Sequence, residues 1–283
     1  MSWRATVKTR LGHYAPPILS VIDARSSLQM DERCLREASG EVELHLIKYL
    51  CDEMKTSIDV GANHGRYTYV MRQYSQQVVS YEPVPQLARL LRYKFNIVSP
   101  SHVRVRNCAV SDRIGRASLL IPENAEWLST IDVRNIDQIS QRYKNATVAV
   151  DTVTLEELAN LTIGMIKIDV EGHEVEAIAG AMSLIKRDRP NILVESEERH
   201  RPGSLKMIRD LLEPVGYQGY FVFGKEFVEI EQFSLDRMQS LSSLKADGTD
   251  RLAENLYINN FIFLTDKTTG AAVAGALKSS STP

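Results

Sequence analysis

The sequence has no run of about 18 consecutive apolar residues, so no transmembrane helix is expected. Its three cysteines, Cys34, Cys51 and Cys108, are widely spaced and form no CxxC pair. That pattern is neither a disulfide framework nor a zinc site, and it reads as a protein of a reducing cytoplasm. Charge of one sign is missing as well: 34 Lys+Arg against 36 Asp+Glu leave a formal net charge of -2. Nucleic-acid binding calls for a basic excess, so no nucleic-acid partner is expected. The HExxH and EF-hand spacings are absent, and no metal is expected. The apolar run after Pro17 is too short for a signal-peptide core. With 43% hydrophobic and 25% charged residues in 283 positions, the composition is that of a folded globular chain.

Three regions follow from the pattern. The first 30 residues lack a sustained period and are interrupted by Pro16-Pro17, and residues 1–40 read as an N-terminal arm. Residues 41–266 alternate helix and strand signals. Residues 267–283, KTTGAAVAGALKSSSTP, are small, Ser/Thr-rich and broken by glycine, which predicts a flexible tail.

Within the central region, EVELHLIKYLCDEM puts Val42, His45, Leu46, Tyr49 and Leu50 on one helical face. The strand TSIDV follows and ends at Gly61. Tyr67, Val70, Met71 and Tyr74 then mark a helix that begins near Gly65. QQVVSYEP is a second strand, PQLARLLRYKFNIV a helix and VRVRNCAV a third strand. This β-α-β-α-β order calls for a parallel sheet with helices on both faces. ASLLIP, TVAVDTV, MIKIDV and NILVES are further strands. A helix from His173 to about Lys186 follows MIKIDV, with Val175, Ile178, Ala179 and Met182 as its core face. YFVF and NFIFL read as a late pair closing one edge of the sheet.

Two clusters carry chemistry. Asp59-Val-Gly61-Ala-Asn63-His-Gly65 lies between a strand and a helix, where ligands bind in open parallel sheets. Gly61 and Gly65 permit a sharp turn and close approach of a ligand to the backbone. Glu82 ends the next strand, where an acid can accept hydrogen bonds from ribose hydroxyls. The dinucleotide fingerprint G-x-G-x-x-G is not met, because Asn63 and Arg66 occupy glycine positions, and no Walker sequence is present. The loop therefore suits a nucleoside cofactor with an amino-acid tail, with Asp59 facing an ammonium such as that of S-adenosylmethionine. An ordinary strand–helix turn is the alternative.

The second cluster is Lys167-Ile-Asp169-Val-Glu171-Gly172-His173-Glu174. Period 2 puts Lys167, Asp169 and Glu171 on one side of a strand end. His173 falls near a helix N-terminus, where the dipole disfavours the imidazolium and leaves a neutral base. Asp169 is the first candidate for a general base and His173 the second, with Glu171 orienting the acceptor or the base. The other reading of these acids is that they favour the start of the helix. His64, Glu195, Glu197 and Trp127 are weaker candidates for ligand contact.

Six segments, SIDVGANHGRYTYV, VVSYEPVP, NCAVSD, VDTVTLEEL, IKIDVEGHEVEAIAG and RPNILVESE, resemble in order and spacing the FkbM family of S-adenosylmethionine-dependent methyltransferases. The resemblance implies a class I methyltransferase (Rossmann-like) α/β fold. That fold is a doubly wound, mostly parallel seven-stranded sheet with an antiparallel edge hairpin. It further implies that Asp59, Gly61, Asn63 and Gly65 cradle the methionine part and that Glu82 holds the ribose. Ala109, with Asn107 or Val110, would lie against adenine, and Asp169 and Glu171 would line the methyl-transfer centre. Many members carry a small residue where this chain has His173. The expected activity is O-methylation of a sugar hydroxyl in a glycoconjugate: a polysaccharide, lipopolysaccharide or lipo-oligosaccharide. A nicotinamide-dependent sugar oxidoreductase or epimerase is the alternative enzyme, and a non-catalytic module that keeps the fold is the third reading.

Overall fold

The computed structural model describes residues 16–37, 41–123, 125–132, 140, 144–244 and 256–279. Along the chain its strands are β1 (Thr56–Val60), β2 (Gln77–Tyr81), β3 (Val103–Arg106), β4 (Ala109–Val110), β5 (Gly115–Pro122), β6 (Asn145–Val153), β7 (Ile163–Ile168), β8 (Asn191–Glu195), β9 (Gln218–Phe223), β10 (Glu226–Glu229) and β11 (Asn260–Leu264). TSIDV and IGMIKI are buried at every position, so β1 and β7 can only be central. They pair in parallel, with β2 and β3 beyond β1 and β8 beyond β7. The main sheet runs β10-β9-β11-β8-β7-β1-β2-β3.

Eight strands form this sheet, where seven are expected. YFVF and NFIFL, in β9 and β11, are antiparallel neighbours, but β11 is threaded between β9 and β8. The edge strand is β10, which follows β9 after Gly224 at φ +60 and lies antiparallel to it. Its four residues are too short a run to register as a strand in the sequence. Tyr220 and Phe227 stack across this pair at 4.5 Å. A second sheet, β4-β6-β5, stands over the end of helix Pro85–Tyr93 through Leu87, Ala109, Leu119 and Val150.

Alternation along the strands divides the core between the two faces. Ile58, Val79, Ile166 and Ile192 pack with helices Glu174–Ala179, Met182–Asp188 and Ser204–Leu212. Val78, Met165, Leu193 and Ile262 pack with helices Val42–Leu50, Arg66–Met71 and Lys267–Ser279. In Val42–Leu50 the inward stripe is Leu44, Leu46, Ile47 and Leu50, while Val42 is exposed. VELHLIKYL carries two overlapping helical stripes, and its neighbours select one. The helix expected from His173 to about Lys186 is two, broken at Gly180-Ala181, where the Ser111 carbonyl oxygen comes so close that a Cβ on Gly180 would lie 2.0 Å from it.

Among the described residues, the expected arm and the expected tail each contain a helix. Pro16–Arg36 is a helix, and Lys267–Ser279 is another. The second begins where the Asp266 carboxylate accepts the backbone N–H groups of Thr268 at 3.0 Å and Thr269 at 3.1 Å, an N-terminal cap inside a sequence dominated by small residues. It buries Val273 and Leu277 against the helix Val42–Leu50 side of the sheet. Deleting methyl groups from such a site costs about 2–5 kcal/mol. Leu277→Ala is therefore expected to lower the urea midpoint with an unchanged slope, whereas a wild-type midpoint would show that this helix does not pack in solution.

Candidate functional site

Parallel pairing brings several strand ends to one edge. Val60 is level with Tyr81 and Ile168, and Ile168 is level with Val194. The residues that follow, Gly61, Glu82, Asp169 and Glu195, therefore emerge together. The strand order reverses between β1 and β7, which is the switch point at which open α/β sheets bind ligands.

There the two clusters touch through backbone. The Asp169 N–H donates to the Val60 carbonyl at 3.0 Å, and a Cβ on Gly61 would lie 1.8 Å from the Asp169 carbonyl oxygen. Gly61 (φ +75), Asn63 (φ +50) and Gly65 (φ +80) turn the loop, and the N–H groups of Gly61 and Ala62 both donate to the Tyr81 carbonyl at 3.0 Å. This loop and the β2 end are joined again by Glu82. Its carboxylate accepts the Asn63 N–H at 2.7 Å and the Val84 N–H at 2.8 Å, one on each oxygen. Burial lifts the Glu82 pKa to about 7 against those two donors.

Two cavities meet at this point. The inner one is lined by Gly61, Asn63, Glu82, Ala109, Val110 and Asp169, with Glu171 and His173 at its far side. It encloses about 50 Å³ as its side chains stand, so a nucleoside entering it spreads the walls. The outer cavity holds about 930 Å³ and shares Gly61, Asn63, Leu87, Glu126 and Asp169 with the inner one. Asp169 is thus exposed to both.

Lys167 fixes Asp169. Its ammonium donates to Asp169 Oδ2 at 2.9 Å, lies 5.0 Å from the centre of the Tyr67 ring, and is 4% exposed. Burial opposes its charge, but Asp169, Asp59 and Glu195 together hold its pKa above the ordinary lysine value. Glu171 adopts φ +50, uncommon for a side-chain-bearing residue, and its carboxylate meets His200 Nδ1 at 2.8 Å. Burial opposes the charge on His200, yet Glu171 and Glu197 keep its pKa above the usual value. His173 faces Ser111: its Nε2 is 2.9 Å from the hydroxyl. Burial, more than the short six-residue helix behind it, lowers its pKa and keeps the imidazole neutral. Glu195 is raised well above the carboxylate range by burial and by the carboxylates of Asp169, Glu41, Glu171 and Glu197.

Three of the expected cofactor residues line neither cavity. Asp59 is fully buried; Thr68 Oγ1 donates to its Oδ2 at 2.5 Å, and its Oδ1 has no hydrogen-bond partner. A Cβ on Gly65 would strike Leu91 at 2.5 Å and Phe95 at 2.9 Å, so this glycine admits the helix beneath the loop. Asn107 spends its amide on the carbonyls of Glu82 at 2.9 Å and Pro83 at 3.0 Å, which braces the β2 end. The side chain of Trp127 lies outside the described residues. Sequence reasoning gave no role at the site to Tyr67, Ser111, Glu126 or Thr130, whose Oγ1 donates to the Glu171 carbonyl at 2.9 Å. Lys167 did leave a signal, as the one charge within a strand buried throughout.

A methyltransferase FkbM domain model matches residues 59–219, more than half of the 283-residue chain. The chain belongs to the FkbM methyltransferase family. Among solved structures it is similar to the methyltransferase FkbM from Methylobacillus flagellatus KT, at 15% identity and TM-score 0.45, covering 75% of this chain and 44% of that one. The chain thus spans less than half the length of that relative. It is also similar to the O-methyltransferase from Bacillus cereus in complex with S-adenosylhomocysteine (SAH), at 13% identity and TM-score 0.43, covering 91% and 96%. An rRNA methylase from Streptococcus thermophilus matches at 7% identity and TM-score 0.43, covering 80% and 95%. No curated protein matches the chain.

The domain of this FkbM protein is that of an S-adenosylmethionine-dependent methyltransferase. The residues present fit that cofactor. Gly61 and Asn63 line the inner cavity, Glu82 keeps lone pairs on both oxygens for ribose hydroxyls, and Ala109, Val110, Leu87 and Leu119 form an apolar slot for a base.

Ribose hydroxyls donate to a carboxylate, so SAH binding favours ionised Glu82, while the free protein holds that proton below about pH 7. SAH affinity is therefore expected to rise as pH climbs through about 7, with proton release seen as a buffer-dependent calorimetric enthalpy. Pressing the same titration on Glu82→Gln should abolish the pH dependence; a dependence that survives would assign it elsewhere.

Proposed function

We propose that this FkbM protein is an O-methyltransferase that methylates a hydroxyl of a sugar in a glycoconjugate, such as a polysaccharide, lipopolysaccharide or lipo-oligosaccharide. The observation that carries this reading is Asp169, a carboxylate shared by a cavity suited to adenosine and an outer cavity of about 930 Å³. The outer walls are amphipathic. Asp23, Glu41, Glu126 and Gln86 offer polar groups, and Met30, Leu87, Leu90 and Ile121 offer apolar ones. Sugar hydroxyls donate to carboxylates, while the C–H face of the ring packs on apolar carbon. Among the described residues two cations line this space, Arg66 and Lys167; Lys167 is bound to Asp169, and Arg66 stands near enough to Asp31 to stabilise its charge. That balance favours a neutral acceptor over a phosphorylated one or a nucleic acid. No helix of the described residues is long and apolar enough to cross a membrane. None of the three cysteines is in a disulfide, which supports a cytoplasmic setting.

When bound, S-adenosylmethionine supplies an electrophilic methyl group on a sulfonium. The chain's own part is to align the acceptor oxygen with that carbon and to remove the hydroxyl proton as the new O–C bond forms. Asp169 takes the proton. Lys167 holds its Oδ2, which leaves Oδ1 for the acceptor, and the His200-bound carboxylate of Glu171 fixes the other side of the transfer point. His173 lines the inner cavity only, and Ser111 already occupies its Nε2, so it serves the wall rather than the proton.

Asp169→Asn keeps the shape and removes the base. It is expected to lower kcat by about 10²–10⁴-fold, the usual contribution of a general base, with SAH affinity little changed. His173→Ala should retain most of kcat; the reverse order would move the base to His173. In a second experiment, neutral oligosaccharides are offered with labelled methyl donor beside their phosphorylated counterparts. Labelling confined to the phosphorylated set would refute the sugar reading of the outer cavity.

A further inference from the structure

Lys94 is fully buried, an expensive position for an ammonium unless every donor is used. It opens a turn of π-helix, Lys94–Val98, directly after helix Pro85–Tyr93. Its ammonium donates to the Asp31 carboxylate, to Ser27 Oγ at 3.0 Å and to the His64 carbonyl at 2.8 Å. Three donors meet three acceptors, which come from two separate pieces of chain. Asp31 and Ser27 lie on helix Pro16–Arg36, and His64 lies in the glycine loop that the cofactor contacts. Ser27 Oγ is itself 3.4 Å from the same His64 carbonyl.

The same helix contributes Asp23, Ser26, Ser27, Met30 and Asp31 to the outer cavity, opposite Lys167 and Asp169. One buried group therefore links the loop below the methyl donor with the wall that faces the acceptor. A buried ion pair is a poor device for stability alone, since apolar residues of similar volume often serve as well or better. It does define one relative placement of the elements it joins.

We propose that Lys94 is a positioning residue through which a cofactor seated on the 61–65 loop fixes helix Pro16–Arg36 as a wall of the acceptor cavity. The proposal rests on the cofactor and acceptor assignments given above. The loop carbonyl and the helix carboxylate share one ammonium, so ordering residues 61–65 orders the helix. The cofactor then binds first, and the acceptor meets a completed wall.

The experiment is hydrogen exchange of the full chain with and without saturating SAH, after calorimetry has established binding. Protection of the 61–65 loop together with the backbone of helix Pro16–Arg36 is the expected result. Protection of the loop with the helix unchanged overturns the proposal. No SAH binding by folded protein overturns the cofactor assignment as well, and calorimetry detects that before exchange is read. Lys94→Met alone strands the Asp31 charge and risks misfolding, so the informative variant is the pair Lys94→Met with Asp31→Leu. It is expected to keep its Tm, to bind SAH about tenfold more weakly, within the usual range of coupling between sites, and to lose the helix protection. A residue that only stabilised the fold would shift Tm and leave that ligand-dependent protection intact, and this outcome would also refute the assignment.

Discussion

The backbone of Gly61 and the carbonyl of Asp169 lie so close at the switch point that a Cβ would sit 1.8 Å from the oxygen. Everything around the site depends on that contact. It lets the glycine loop and the IDVEG turn share one wall, with Gly61 and Asp169 both lining the two cavities. It also explains why the loop turns through positive φ at Gly61, Asn63 and Gly65, since an ordinary turn would carry the backbone away from β7. Two hydrogen bonds to the Tyr81 carbonyl and one to Glu82 tie the loop to β2 on its other side.

Charge is distributed around this contact in two grades. Deepest are Asp59 and Lys167, 0% and 4% exposed, which compensate each other within the sheet. Asp169 and Glu171 stand farther out, each held by one basic partner: Lys167 at 2.9 Å and His200 at 2.8 Å. The arrangement presents ionisable oxygen to the cavities without leaving the carboxylates to swing. Glu195, buried and surrounded by acids, is pushed toward its neutral form instead. It accepts the Asn259 amide N–H at 2.6 Å and lines neither cavity.

Much of this was legible from residue order. TSIDV, QQVVSYEP and MIKIDV read as strands of a parallel sheet, which put Gly61, Glu82 and Asp169 at strand ends, and period 2 put Lys167, Asp169 and Glu171 on one side. The readings that failed share a cause. The EFVE strand is too short to carry a period, the Lys267–Ser279 helix is composed of residues that usually fray, and the stripe of Val42–Leu50 was one of two that the sequence allows equally. Local pattern is ambiguous in each case, and tertiary neighbours decide it.

The sequence by itself determined the α/β class, the glycine loop, the acid after β2 and the acid at the end of β7, because turn chemistry and strand period are properties of neighbouring residues. Only the tertiary structure decided which of those groups reach the cavity. Asp59, Gly65 and Asn107 each adjoin a wall-lining position yet line neither cavity: Asp59 and Gly65 are buried, where Gly65 admits a helix, and Asn107 holds the β2 end from an exposed position. The pairing of Lys94 with Asp31, 63 residues apart, and of Glu171 with His200 was likewise invisible beforehand. The physical reason is range: backbone preference acts over a few residues, whereas burial and charge compensation depend on segments brought together only when the sheet closes.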